Sequence, residues 1–545
     1  MNKLTCALMR VVMAACSFAS LSAQSSKMHD EVLKTMKTAT RFMMDQVSYK
    51  GGFVWAYLPD FSRSWGELEA RRTMVWIQAP GTPLVGQLLL DAYHATGDEY
   101  YYGEAKKVAD VLIWGQESCG GWNYMFDMAG ENSMKEWYAT IGKNGWRMEE
   151  FQHYYGNATF DDSVTSDVAK FLLRIYVEKY DPVFRPSLDK AIHFILESQY
   201  PVGGWPQRYP LKYDHVFQGK EDYSSFITLN DDVISDNIDF LLQCYQVLGM
   251  KNLKEPIMRA LNLMLVLQQG EPYAGWADQY TMEDLQPAHA RSYEPRGINA
   301  GTTVGMIYRL CDYYKLTGET KFLSGIPAAI RFLESMKLPD SEVVRFGRRP
   351  LEEGQILVPR FIDPENGKPL YVHRKGSNVW NGTYYIDQDI AHTIGHYSSV
   401  SAVSVGQLRR HYEEVKAMPR EEVVKDSPFW CNELMPLPEY YVAFRPERKK
   451  NARKKESLKE RVEQIVKSMT GEGCWLTPLT ALSNPYKPCP EAEKQPSSET
   501  CYRDTFVGDE YDTSCYPANQ EVMGISTQVY VTNMGKLIQY ITNEK

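Results

Sequence analysis

The feature that most constrains this chain is a glycine turn followed by an aromatic ring, met four times. It occurs as Gly51-Gly52-Phe53-Val54-Trp55, Cys119-Gly120-Gly121-Trp122, Gly203-Gly204-Trp205 and Ala274-Gly275-Trp276, at intervals of roughly 65 to 85 residues. A recurrence of that length marks one supersecondary unit stacked on copies of itself. Between the loops, apolar residues fall three and four apart. Val168, Phe171, Leu172 and Ile175 make one stripe, and Leu188, Ile192, Ile195 and Leu196 make the next. The pattern repeats with Ile238, Leu241, Leu242 and Tyr245, then Ile257, Ala260, Leu261 and Met264. Each stripe is one face of a helix that needs a partner. Further pairs run over 84–95 with 105–114 and over 304–314 with 326–333, and Gly97, Gly249 and Gly318 stand at turns where helices end. The spacing predicts an all-α fold, an α/α toroid of helical hairpins whose loops gather at one end.

The 545 residues exceed one ordinary domain, and 43% hydrophobic residues suffice for a large core. From about 337 to 400 the helical period gives way to proline, glycine and β-branched residues, which predicts an irregular or β-hairpin arm. Helical texture returns over 403–415 and 458–469, and the basic run 445–455 reads as a solvated linker. Cys474, Cys489, Cys501 and Cys515 crowd a loop-like C-terminal tail and are expected to pair in an oxidising compartment, whereas Cys244 and Cys311 suit helix interiors. The first residues carry Lys3 and Arg10, a short apolar run and the small-residue pattern Leu21-Ser22-Ala23, as a secretory signal does. The expected division is therefore a signal peptide over 1–23, a toroid over 24–440 and a helical, Cys-rich extension over 441–545 that packs on it. A lipoprotein anchor at Cys16 is the alternative to free secretion or a periplasmic location. No later stretch is apolar enough to span a bilayer. A net charge of −9 argues against a nucleic-acid footprint.

Four clusters could carry chemistry. Asp161-Asp162, with Asp167 beyond, opens one helix, and Asn230-Asp231-Asp232 opens the next. Carboxylates there can be simple caps, or, facing one another from successive hairpins, a hard oxygen site for calcium. The third cluster runs from Asp278 through Arg291 to Arg296, and the fourth pairs Arg360 with Arg374 in the arm. Arginine forks match carboxylates bidentately, so several lining one groove suit a uronate polymer. Arg208 is a further candidate for substrate charge. Trp205 reads either as a wall of the site or as a packing ring. His392 and His396 lie four apart, but no Glu stands beside the first as a zinc protease requires.

Gly203-Gly204-Trp205-Pro206-Gln207 with Tyr209-Pro210, Ile227-Thr228-Leu229-Asn230-Asp231, Ala158-Thr159-Phe160-Asp161 and Leu285-Gln286-Pro287-Ala288-His289-Ala290-Arg291-Ser292-Tyr293-Glu294 together resemble the pectate lyases of polysaccharide lyase family ten, over roughly residues 80 to 380. The resemblance implies calcium-assisted β-elimination of polygalacturonate. It places Asp161 and Asp231 at the calcium positions, Arg291 at the arginine that takes the C5 proton, and Arg360 and Arg374 near arginines that bind uronate carboxylates. Asp232 is expected on the substrate side. Asp162 and Asp232 depart from the Asn or Gly often found after those aspartates. Three other functions fit the same residues: a lyase on another uronic-acid polymer such as a glycosaminoglycan, a hydrolase using Asp161 and Asp231 as its two carboxylates, and a polyuronate-binding protein without catalysis.

Overall fold

A computed structural model of the chain describes residues 27–144, 149–216, 219–346, 351, 353–375, 383–390, 393, 399–445, 457–479 and 522–543, with the side chains of 144, 344–346, 374, 375 and 383 excepted. The expected signal at 1–23 with Cys16, the pair His392 and His396, Cys489, Cys501 and Cys515 all lie outside those residues. Cys474 is buried, its sulfur 3.2 Å from Thr470 Oγ1.

The chain is an α/α toroid. Helix α1 covers 27–42. The hairpins that follow are α2 (Thr82–Thr96) with α3 (Glu99–Trp114), α4 (Val164–Lys179) with α5 (Arg185–Glu197), α6 (Val233–Leu248) with α7 (Lys254–Val266), and α8 (Ala300–Thr317) with α9 (Ile326–Ser335). The first helix of each hairpin packs on that of the next across α2, α4 and α6, and the second helix of each pair covers the outside. The predicted stripes are the buried ones: Val168, Phe171, Leu172 and Ile175 of α4 and Ile257, Ala260, Leu261 and Met264 of α7 are inaccessible to solvent.

The recurring aromatic loop ends the outer helices. Trp122, Trp205 and Trp276 each donate an indole N–H, at 2.8 Å, to the carbonyl of Leu112, Ile195 and Met264. Each of those carbonyls lies in the last turn of α3, α5 or α7, where backbone acceptors have no partner within the helix. The preceding glycine is required by space and by backbone angle. Gly203 has φ +114°, and a Cβ there would stand 2.5 Å from the carbonyl oxygen of Arg259 on the next outer helix. The tryptophan carbonyls in turn accept from Thr159, Thr228 and Asn299, residues just ahead of the inner helices α4, α6 and α8. The loop thus ties one unit to the start of the next.

The expected arm is a β-structure: Ile298–Asn299, Phe361–Ile362, Pro369–Lys375 and Thr383–Asp387 form one antiparallel sheet. The two ends of the chain meet in a second sheet, ordered Leu476–Leu479, Val522–Ser526, Ala56–Tyr57, Ser64–Trp65 and Glu69–Ala70. Helix α10 (Val405–Ala417) packs on α8 and α9, and helix α11 (Leu458–Ser468) on the last helix, α12 (Thr527–Asn543), which lies against α2. Buried Asp91 of α2 accepts the backbone N–H groups of Tyr441, Val442 and Ala443 and pairs with Arg174 at 2.8 Å. Among the described residues, no helix is long and apolar enough to cross a membrane.

Candidate active site

The short strands Ala158–Thr159 and Ile227–Thr228 each run into a tight turn that starts an inner helix. In both turns two consecutive residues are left-handed: Asp162 (φ +50°) and Ser163 (+61°) before α4, Asp231 (+49°) and Asp232 (+58°) before α6. Aspartate tolerates this region better than most residues, and such strain collects where function over-determines the backbone. The two acidic pairs are therefore not equivalent as pairs. Asp162 corresponds to Asp231, and Asp161 to Asn230, an offset of one residue that the equal spacing from Thr159 to Val164 and from Thr228 to Val233 also carries.

Asp161, inaccessible to solvent, receives the Tyr124 hydroxyl and Arg291 Nη2 on its Oδ2, the latter at 2.6 Å. Its Oδ1 is buried and has no hydrogen-bond partner. Arg291 is 3% exposed. Its Nε lies 3.0 Å from Glu150, its Nη1 3.3 Å from Glu294 and 3.9 Å from Asp231. Burial opposes the Arg291 charge, but Glu150, Glu294 and Asp161 outweigh it and hold the guanidinium firmly protonated. Burial likewise pushes the Asp161 carboxyl up, and Arg291 with the hydrogen bond of Tyr124 brings it below the usual range. Asp231 goes the other way: burial and the neighbouring charges of Asp161 and Asp162 raise it well above an ordinary aspartate.

One wall comes from a segment that carried no signal in the sequence. Gln78 Oε1 accepts the buried Trp76 indole N–H at 3.1 Å. An indole nitrogen can only donate, so the amide orientation is fixed and its NH2 faces the site. That nitrogen donates to Glu67 at 2.9 Å and to Asp162 at 2.6 Å. Burial, then Glu150 and Asp162, push Glu67 up to about 8, and burial with Asp161 pushes Asp162 up to about 7. Glu149 beside them accepts Ser292 N–H on both oxygens at 3.0 Å.

Two expected substrate contacts are corrected. Trp205 is 0% exposed and is the packing ring, with its indole N–H spent on the end of α5. Arg208 is 1% exposed, sandwiched between Tyr155 at 4.3 Å and Tyr124 at 5.2 Å, behind the tyrosine that holds Asp161. Neither lines the groove beside Asp231 and Asp232. Arg296 pairs with Glu365 on the surface. Asp232 is largely exposed, and with Asp231, Arg360 and Arg309 it lines a groove of about 530 Å³. The Arg374 side chain lies outside the described residues; its backbone pairs with Tyr384. Glu67, Gln78, Glu149, Glu150 and Tyr124 were missed: Glu67, Gln78 and the pair Glu149-Glu150 have no periodic or motif context, and Tyr124 stands just after the Gly120-Gly121-Trp122 loop, where a tyrosine reads as packing. Glu294 stood inside the quoted motif without a role.

Whether these residues suit a cation can be judged from their chemistry. Among the described residues, no three His, Cys, Asp or Glu side chains already stand in a ligand array. The donor set is nonetheless one of hard oxygens, with an orphaned Asp161 Oδ1 and an Asp231 carboxyl burdened by like charges. A divalent cation of the calcium type, held by these carboxylates, would relieve both.

Residues 132–392 match the family model described as pectic acid lyase. Solved structures similar to the chain include a family 10 polysaccharide lyase from Cellvibrio cellulosa, at 17% identity, TM-score 0.40, over 61% of this chain and 98% of that one. A mutant of that enzyme was solved in complex with trigalacturonic acid. An α-1,6-mannanase from a Salegentibacter species aligns at 10% identity, TM-score 0.36, over 95% of this chain and 99% of that one. No curated protein sequence matches.

Proposed function

We propose, starting from a chain that is pectic acid lyase-like across residues 132–392, that this lyase cleaves de-esterified polygalacturonate by calcium-assisted β-elimination. The observation that carries the reading is the convergence of Asp161, Asp231 and Arg291, from three separate segments of that region, on one end of the toroid. Elimination requires removal of the C5 proton, tolerance of negative charge on the C6 carboxylate, and departure of the C4 oxygen. Asp161 and Asp231 would hold calcium, which when bound neutralises the C6 carboxylate and stabilises the enolate-like charge. Arg360 and Arg374 bind uronate carboxylates along the chain. Arg291 takes the C5 proton.

An arginine base is costly. With an unperturbed pKa above ~12, neutralising it at pH 7 costs roughly 7 kcal/mol at ~1.4 kcal/mol per unit, and the carboxylates around Arg291 add to that cost. A second reading follows from this cage: Arg291 stays charged and stabilises the carboxylate, while another group takes the proton. The two readings differ in their pH dependence.

The test of substrate and reaction is one assay. The protein is incubated with polygalacturonate, chondroitin and hyaluronan, and the ultraviolet absorbance of the unsaturated uronate is followed. Absorbance with polygalacturonate alone supports the proposal. Absorbance with a glycosaminoglycan moves the substrate class, and reducing ends without absorbance mean hydrolysis. Residues 1–23 would direct export, which N-terminal sequencing of the mature protein checks.

A further inference from the structure

We propose that Arg309 of α8 is a specificity-determining residue, which reads the free carboxylate of a uronate ring adjoining the reacting one. This rests on the polyuronate reading above and extends it to a position outside every motif that suggested the function. The groove beside Asp231 and Asp232 runs along α8, with Arg360 on its arm side. Positions 301, 305 and 309 fall four apart and so share a face of that helix. Two of them are glycine. A Cβ on Gly305 would meet nothing within 4 Å, and one on Gly301 would meet only Asn299 Oδ1, at 3.2 Å. The floor is therefore bare helix backbone facing open space, and Arg309 stands at its end as the next side chain on that face.

The arginine is held in place without being used up. Its Nη1 lies 3.3 Å from Asp239 and its Nη2 3.9 Å from Asp232, and about a third of the side chain stays exposed. Two long contacts engage part of a fork with five N–H donors. Burial opposes the Arg309 charge and Asp239 outweighs it, so the residue stays cationic. A half-exposed ion pair contributes little to stability. A carboxylate arriving in the groove gains a planar, charge-assisted partner, whereas a methyl ester offers no charge and weaker acceptors. Arg309 consequently favours de-esterified over esterified rings.

The experiment is steady-state kinetics of the full chain and of Arg309→Gln and Arg309→Lys, on fully de-esterified polygalacturonate and on polymer with half of its carboxyls methyl-esterified. Arg309→Gln is expected to raise KM about tenfold or more on the de-esterified polymer, the loss typical of a charged hydrogen bond, with kcat changed less than about threefold. The KM shift on the esterified polymer is smaller, and Arg309→Lys restores part of the loss. An unchanged KM in Arg309→Gln, or equal shifts on both polymers, overturns the assignment while leaving the lyase reading intact. Absence of lyase activity in the unmodified chain overturns the lyase reading itself. Circular dichroism confirms the fold; should the Gln variant misfold, Arg309→Lys alone decides, through a KM shift that is larger on the de-esterified polymer than on the esterified one.

Discussion

Arg291 and Asp161 are 130 residues apart in the chain, and their side chains meet at 2.6 Å in the interior. The same guanidinium also neutralises Glu150 and Glu294. Removing one partner of a buried pair leaves the others uncompensated, at about 3–5 kcal/mol. Arg291→Ala is therefore expected to lose about a hundred- to a thousandfold in turnover, on the scale of a deleted electrostatic donor, and also to melt at a lower temperature. Lyase absorbance and thermal unfolding measured on one preparation separate the two effects. Arg291→Lys retains the charge and the fold while losing the fork, so its activity falls and its melting temperature stays close to the parent's.

The pH profile distinguishes the two roles of Arg291. As a base it must lose a proton that its surroundings hold tightly, so kcat climbs toward alkaline pH without a plateau up to about pH 10. A profile already flat between neutral and alkaline pH sinks the base and leaves the charged role.

Chelation is expected to abolish turnover, and added calcium to restore it. Asp231→Asn, which removes one of two opposed carboxylates, weakens calcium binding at least about tenfold by isothermal titration. Full activity after exhaustive chelation counts against calcium chemistry altogether.

The contribution of Glu149 and Glu67 to stability is expected to fall as pH rises from the acid side. Burial raises Glu149 to about 7 in the folded chain and Glu67 to about 8, against about 4.3 for an exposed glutamate. Between the unfolded and folded values the native state holds a proton that the unfolded chain has released. The contribution is thus complete below about pH 4.3 and lost as pH rises through 7 to 8. Glu149→Gln and Glu67→Gln carry no such titration, so each narrows the drop in melting temperature between pH 5 and 8. An unaltered drop in both variants means neither carboxyl is raised.

Trp205 separates packing from sugar binding. Trp205→Ala should cost about 3–5 kcal/mol of stability, as a large buried ring does. Trp205→Phe, tested where it is still folded, keeps KM within about twofold, since the ring is fully buried and packs on the end of α5. A raised KM in a fully folded Trp205→Phe revives the role as a wall.

The hairpins were legible because helical periodicity and glycine turns are local signals, and α2 to α9 fall where stripes and turns indicated. The acids at the starts of α4 and α6 were legible from motif context. What escaped was set by long-range packing. Trp205 and Arg208 drew attention as residue types suited to sugars, yet their burial follows from which neighbour the loop packs on. Glu67 and Gln78 lie in an N-terminal segment that has neither helical period nor motif, and only the fold brings them to Asp162.

The second sheet has a consequence for how the protein comes into being. The turn that carries Glu67 joins Ser64–Trp65 to Glu69–Ala70, and those strands are laid in order on Ala56–Tyr57, which itself pairs with Val522–Ser526. A ribosome delivers Glu67 long before the strand that braces it. The N-terminal wall of the site therefore lacks its support until Val522–Ser526 is made, and a chain released before residue 522 carries every residue that matches the pectic acid lyase model with one side of its site unbraced.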